Sequence, residues 1–392
     1  MQYHFSNRMS QLKASEIREI LKNTSDAGVI SFAAGNPAPE AFPTELIERI
    51  SADILHSAPV SALQYSVTEG YTPLRDELKK FCKNRYGIGN ETDDLIIVSG
   101  AQQGIGLSAT VLCNEGDTVI CEDPSFVGAL NAFRACGAKL VGVTTDEDGM
   151  NPEKLERALE KNPNTKLIYL IPNFNNPTGR TMSLERRKAV YEIAKRYGTM
   201  ILEDNPYGDL RFSGEDIDCI KKYDTEGIVI YCGTFSKVLA PGIRVGYVLA
   251  PKAVTAKIVT AKQTSDVHTN VWAQILCHRM LTATDFNRHI EGLKDVYRRK
   301  CKLMLSCMDE LFDRKIEYTR AEGGLFIWCT LPEGTDMKDY CKRALEAGVA
   351  VVPGTAFLAD KDAPCRSFRL NFSTPTNEEI KKGIEILSQI KL

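Results

Sequence analysis

No stretch of this 392-residue sequence approaches the ~18 consecutive apolar residues of a membrane-spanning helix. The first 21 residues are polar and mixed in charge, without the apolar core and small-residue cleavage site of a secretory signal. Charge of one sign is nowhere concentrated. Against 49 Lys and Arg stand 51 Asp and Glu, a net charge of −2, which argues against a nucleic-acid partner with its need for a basic surface. The twelve cysteines, Cys82 to Cys365, form no C-x-x-C and have no histidine at zinc-ligand spacing, so no metal is expected. They read as small buried apolar residues of a reducing cytoplasm; a catalytic thiol is the other reading. Internal repeats and low-complexity segments are missing too. What remains is an ordinary globular composition, 43% hydrophobic and 26% charged, suited to small-molecule work.

The middle of the chain alternates apolar, β-branched runs with helical patterns. Strands are predicted at Leu95–Ser99, Thr118–Glu122, Lys139–Val143, Lys166–Ile171, Thr199–Glu203, Ile228–Cys232 and Arg244–Ala250, with helices such as Leu184–Tyr197 between them. Near-continuous apolar strands separated by helices imply an α/β fold with a mostly parallel seven-stranded sheet covered on both faces. From about residue 251 a long helical region, Pro251 to Phe312, is followed by short strands at Glu317–Tyr318, Leu325–Cys329, Val349–Val352 and Ser367–Phe372. A helix near Asp336–Glu346 lies among them. This reads as a smaller α+β domain. The expected division is an N-terminal segment 1–43 with a helix at Lys13–Leu21, a large domain 44–275 and a small domain 276–392.

Ligands of open α/β sheets collect beyond the carboxyl ends of the strands, so the residues that follow each strand matter most. Ser99-Gly100-Ala101-Gln102 opens a helix, where backbone N–H groups can bind phosphate; a tight strand–helix turn is the alternative. Phe126, after the second strand, could stack on a planar ring or simply be core. Asn175-Asn176-Pro177-Thr178-Gly179 contains an amide that a turn does not require. Asp204 ends an apolar strand, an expensive place for a carboxylate without a donor, and Tyr207 stands three residues on. Thr234-Phe235-Ser236-Lys237, with Arg244 seven residues later, combines hydroxyls and a guanidinium suited to phosphate with a lysine poorly placed for a surface charge. Such a desolvated lysine is a Schiff-base nucleophile. Together these strand ends describe a site for pyridoxal 5'-phosphate.

The set Asn176-Pro177-Thr178-Gly179, Asp204-x-x-Tyr207, Thr234-x-Ser236-Lys237 and Arg244 resembles the class I/II aminotransferases of the aspartate-aminotransferase fold. The order and spacing match over nearly the whole chain. The resemblance implies a fold type I enzyme moving an amino group between an amino acid and a 2-oxo acid. Lys237 would form the Schiff base, Asp204 would hold the ring nitrogen, and Asn176 and Tyr207 would bond the ring's phenolic oxygen. Gly100, Ala101, Gln102, Thr234, Ser236 and Arg244 would hold the phosphate, with Phe126 stacked on the ring.

Within Arg366-Ser367-Phe368-Arg369-Leu370, Arg369 would clamp the substrate carboxylate, Arg366 being the competitor, and Gly35 would add a backbone N–H. The family implies a homodimer with shared active sites, in which Tyr65 would reach the neighbouring subunit's phosphate. The run Arg8 to Ile20, the segments Ser31 to Pro39 and Leu63 to Tyr71, and Ser265-Asp266-Val267-His268-Thr269 resemble the 2-aminoadipate, aromatic and kynurenine aminotransferase subgroup. There a mobile helix bearing Arg18 would meet a distal carboxylate; the alternative for Arg18 is a solvated helix face. Phe126 stands where relatives often carry Tyr, and Asn36 departs from the usual residue after Gly35, which leaves side-chain specificity open. A lyase or decarboxylase on the same fold is the rival activity. A non-catalytic regulator is disfavoured by the intact Lys237, Asp204 and Arg369 and by the lack of a preceding DNA-binding segment.

Overall fold

The computed structural model describes residues 3–6, 9 and 28–392; the expected helix Lys13–Leu21, with Arg18, lies outside them. Among the described residues the strands are β1 Ile30–Ser31, β2 Asp93–Val98, β3 Thr118–Asp123, β4 Lys139–Asp146, β5 Gly149–Met150, β6 Thr165–Leu170, β7 Met200–Asp204, β8 Val229–Thr234 and β9 Gly246–Pro251, then β10 Glu317–Tyr318, β11 Phe326–Thr330, β12 Val349–Ala350, β13 Val352–Pro353 and β14 Ser367–Asn371. The main sheet has the order β2-β9-β8-β7-β6-β3-β4-β5. Strands β4, β3, β6, β7 and β8 pair in parallel, and β9 runs antiparallel between β8 and β2. The seven expected strands are all present. An eighth, β5, adds two residues antiparallel to β4 at the sheet edge, too short for any pattern in the sequence to announce.

Successive residues of a strand face opposite sides of the sheet, and both sides are covered here. Leu167, Tyr169, Leu202 and Ile230 pack with Ile105, Leu130 and Phe133 of the helices Ala101–Leu112 and Val127–Ala135. Ile168, Leu170, Ile201 and Val229 pack on the other side with Leu155, Leu159, Val190 and Ile193 of the helices Pro152–Lys161 and Leu184–Tyr197. Each fully buried Leu or Ile contributes ~1.5–3 kcal/mol, and cover on both faces is why these strands show no alternation. The helix Leu184–Tyr197 coincides with its predicted bounds because both ends are marked. Ser183 accepts the N–H of Arg186 at the start, and Gly198 takes the left-handed conformation at the end.

The long helical region resolves into Lys252–Ser265, Val271–Thr282 and Phe286–Leu311. A second, antiparallel sheet has the order β10-β11-β14-β13. The predicted strand Val349–Val352 is two short ones, β12 and β13, joining different sheets. Strand β1 pairs in parallel with β12. Phe32 then donates to Ala350, and Asn371 donates to the Phe32 carbonyl. This lays residues 33–36 beside β14, at the mouth of the main sheet.

Candidate active site

Because β2, β3, β6, β7 and β8 run the same way, their carboxyl ends share one edge, and a cavity of about 380 Å³ opens there. Ala101, Gln102, Phe126, Asn176, Asp204, Tyr207, Thr234, Ser236, Lys237 and Arg244 line it from the large sheet, Arg369 from β14, and Gly35 from the segment after β1. Twelve of the residues singled out in the sequence therefore meet in one place.

Lys237 is half-buried in the wall, and its Nζ donates to the Gly35 carbonyl at 2.7 Å. Burial pushes the ammonium down to about 8, aided by the positive charges of Arg369 and Arg244 and opposed by Asp204. Asp204, buried at the end of β7, is pushed up to about 7 by desolvation, against the Tyr169 hydroxyl and the charge of Lys237. Its Oδ2 accepts from Tyr169 at 2.8 Å, while Oδ1 is buried without a partner. Tyr207 is also buried, which raises its phenol, and its ring packs edge-on against Phe326.

Arg369 is held by two hydrogen bonds and two aromatic rings. Its Nη1 donates to Asn176 Oδ1 at 2.8 Å and its Nη2 to the Ala33 carbonyl at 2.7 Å, between the rings of Phe326 and Phe357. Burial lowers it to about 10, and Nε has no partner. Arg366, its competitor in the sequence, instead donates to the Leu331 carbonyl and is not part of the cavity wall.

The corner of the cavity around Arg244 is built from two turns. Ser236 N and Oγ both approach Thr234 Oγ1, and Arg244 Nη1 reaches Ser236 Oγ at 3.4 Å. Arg244 Nη2 donates to the Ser99 carbonyl at 3.1 Å. Gly100, the N-cap of the helix Ala101–Leu112, has φ +79°, and a Cβ there would run into the Arg244 guanidinium. Tyr65 is not brought to this cavity. It is 83% exposed, with its ring edge-on to His268.

Three supports were missed in the sequence. Lys262 is fully buried, bonding Asp266 and Gln103, which in turn hold Ser99 through its hydroxyl and N–H. The i,i+4 spacing of Lys262 and Asp266 resembles a surface pair, which conceals this role. Glu122, at the end of β3, accepts from Ile171 N and Asn175 Nδ2, both at 2.8 Å, and so fixes the loop carrying Asn176. Tyr169, the third, reads as one more apolar strand residue; its parity with Leu167 is the signal that it faces the site's side of the sheet.

An unpartnered carboxylate oxygen and an unpartnered guanidinium N–H, buried beside one amine, call for a ligand with a ring N–H and a carboxylate. A pyridine cofactor joined to an amino acid offers both groups, so the cavity fits a pyridoxal-phosphate-dependent enzyme. The match to the family model "Aminotransferase class I and II" extends over residues 27–387. An aromatic-amino-acid aminotransferase of Thermococcus litoralis is 41% identical, covering 98% of this chain and 93% of its own. A 2-aminoadipate transaminase of Thermus thermophilus is 37% identical, covering 98% and 96%. The crystal structure of a kynurenine aminotransferase from Pyrococcus horikoshii superposes with a TM-score of 0.95 at 39% identity, covering 98% and 96%. The chain belongs to the class I and II aminotransferases. It is a pyridoxal 5'-phosphate-dependent transaminase of the aspartate-aminotransferase fold.

Among the described residues no helix is long and apolar enough to cross a membrane, and no cluster of His, Cys, Asp and Glu could hold a metal. All twelve cysteines are free, eight of them buried.

Proposed function

We propose that Lys237 is the Schiff-base lysine and that the enzyme transfers the amino group of 2-aminoadipate, glutamate, aromatic or branched aliphatic amino acids to a 2-oxo acid such as 2-oxoglutarate. The observation that carries this reading is the pair of orphaned buried atoms, Asp204 Oδ1 and Arg369 Nε, flanking the same cavity as Lys237. When bound, the cofactor supplies an electron sink conjugated to the substrate Cα. Asp204 Oδ1 accepts the ring N–H, and Asn176 and Tyr207 bond the phenolic oxygen. Gly100, Ala101, Gln102, Thr234, Ser236 and Arg244 hold the phosphate, and Phe126 covers the ring. Arg369 takes the substrate carboxylate with its free Nε–H, its fork already oriented by Asn176 and Ala33. Lys237 Nζ moves the proton at the substrate Cα. With its proton affinity near neutrality it can both take and return that proton.

Arg18 is assigned to the distal carboxylate of glutamate and 2-aminoadipate. A cytoplasmic homodimer is the working form, with Tyr65 reaching the neighbouring subunit's phosphate. Twelve unbonded thiols support the compartment, and the apolar surface around Tyr65 supports the dimer.

The test combines chemistry with a substrate panel. Borohydride reduction of the purified, yellow enzyme should fix the cofactor on the peptide containing Lys237, and amino donors assayed with 2-oxoglutarate should rank the substrates. A colourless protein that binds no pyridoxal phosphate overturns the reading. Ammonia release without an oxo acid assigns the rival lyase activity. Arg18→Ala should raise KM for glutamate and 2-aminoadipate about ten-fold, the loss of one charged hydrogen bond, and spare leucine and phenylalanine.

A further inference from the structure

Resting on the assignment of Asp204 to the cofactor's ring nitrogen, we propose that Tyr169 is a positioning residue for that nitrogen and acts through the Asp204 carboxylate. The strand register makes the pairing. Tyr169 of β6 lies opposite Leu202 of β7, and Asp204, two residues further, projects from the same face of the sheet. The Tyr169 hydroxyl donates to Asp204 Oδ2 at 2.8 Å, and the tyrosine has no solvent exposure. Its ring is fixed in turn by Phe133, edge-to-face at 5.3 Å between centroids and 70° between planes.

A carboxylate's terminal torsion is broad and two-fold, so an aspartate alone does not choose which oxygen faces a ligand. Here the choice is made. One oxygen is tied behind the strand end by a phenol that is itself clamped, and the other remains for the cavity. The phenol also donates to the charged form of the carboxyl, which favours that form against desolvation. Two effects on the ring nitrogen follow, a fixed direction of the acceptor and a retained negative charge. Neither requires Tyr169 to touch cofactor or substrate.

A buried tyrosine needs a hydrogen-bond partner wherever it sits, so the competing explanation is packing alone. The two are separated by a ligand that lacks the nitrogen. The full-length chain, freed of cofactor, is titrated calorimetrically with pyridoxal phosphate and with its analogue carrying C–H in place of the ring nitrogen. Tyr169→Phe keeps the ring that packs on Phe133. It should weaken pyridoxal phosphate about ten-fold, as expected for losing a hydrogen bond to a charged group. The carbon analogue should stay within about two-fold, the scatter of independent sites. In an Asp204→Asn chain, adding Tyr169→Phe should change neither ligand beyond that same margin.

Equal losses for both ligands, or a Tyr169→Phe loss that persists undiminished beside Asp204→Asn, assign the tyrosine to packing and overturn the proposal. If Asp204→Asn weakens pyridoxal phosphate while Tyr169→Phe leaves it unchanged, the proposal falls and the reading of Asp204 stands. If Asp204→Asn itself has no effect on pyridoxal phosphate, both fall.

Discussion

At the scale of single residues, the site sets two neighbouring groups at odds with their ordinary behaviour. Lys237 is held toward neutrality and Asp204 toward protonation, both mainly by burial. The cofactor-free chain carries the cost of Asp204. A carboxyl whose folded pKa is raised lends stability below its unfolded value near 4 and loses it as pH rises through about 7. A rise from 3.8 to about 7 corresponds to roughly 4 kcal/mol, at about 1.4 kcal/mol per unit. Asp204→Asn should therefore melt higher than the wild type at pH 8 when both are free of cofactor, and the gain should shrink toward pH 5. A gain independent of pH would contradict this origin. That Asp204 mattered was legible, because an acid ending an apolar strand is costly without a purpose. Tyr169 was not legible. A tyrosine inside a buried strand is ordinary, and only the register of β6 against β7 reveals what its hydroxyl meets.

Among elements, the strand–helix turn at Gly100 lies against Arg244 at the corner proposed to hold the phosphate. Its positive φ and the close guanidinium of Arg244 leave no room for a side chain. Gly100→Ala should displace Arg244 and weaken pyridoxal phosphate by ~10-fold or more, since charge-assisted phosphate contacts are worth 1.5–3 kcal/mol each. Pyridoxal without its phosphate should bind as before; an equal loss for pyridoxal would place the damage elsewhere. The seven long strands could be read because most are continuous apolar runs between turn residues, β4 being the partly exposed exception. The strand β5 could not, since two residues carry no period. Lys262 shows a deeper limit. Its four-residue spacing from Asp266 is that of a solvated pair, and only the packing of the helix Lys252–Ser265 against the helix Ala101–Leu112 turns it inward.

For the molecule as a whole, the apolar side chains left outside are informative. Val60, Leu63 and Tyr65 are 74%, 74% and 83% exposed, and Val67 and Val267 are half-exposed close by. A patch of this kind suits the second copy of the chain proposed above. If Tyr65 serves the neighbouring subunit, chains bearing Lys237→Ala and Tyr65→Ala should complement each other. Equal amounts, unfolded and reassembled together, should recover about a quarter of wild-type activity, because half the dimers then carry one intact site. Recovery no greater than the sum of the two separate preparations would contradict the shared site.

The pairing of β1 with β12 has a consequence for how the protein is made. It brings Ala33 against Arg369, groups 336 residues apart in the chain. At about 5–20 residues per second of synthesis, Ala33 emerges roughly 20–70 s before the arginine it orients, the residue proposed to hold the substrate carboxylate. A nascent chain can thus complete the strands of the main sheet, and with them most of the cavity lining, well before Arg369 is in place.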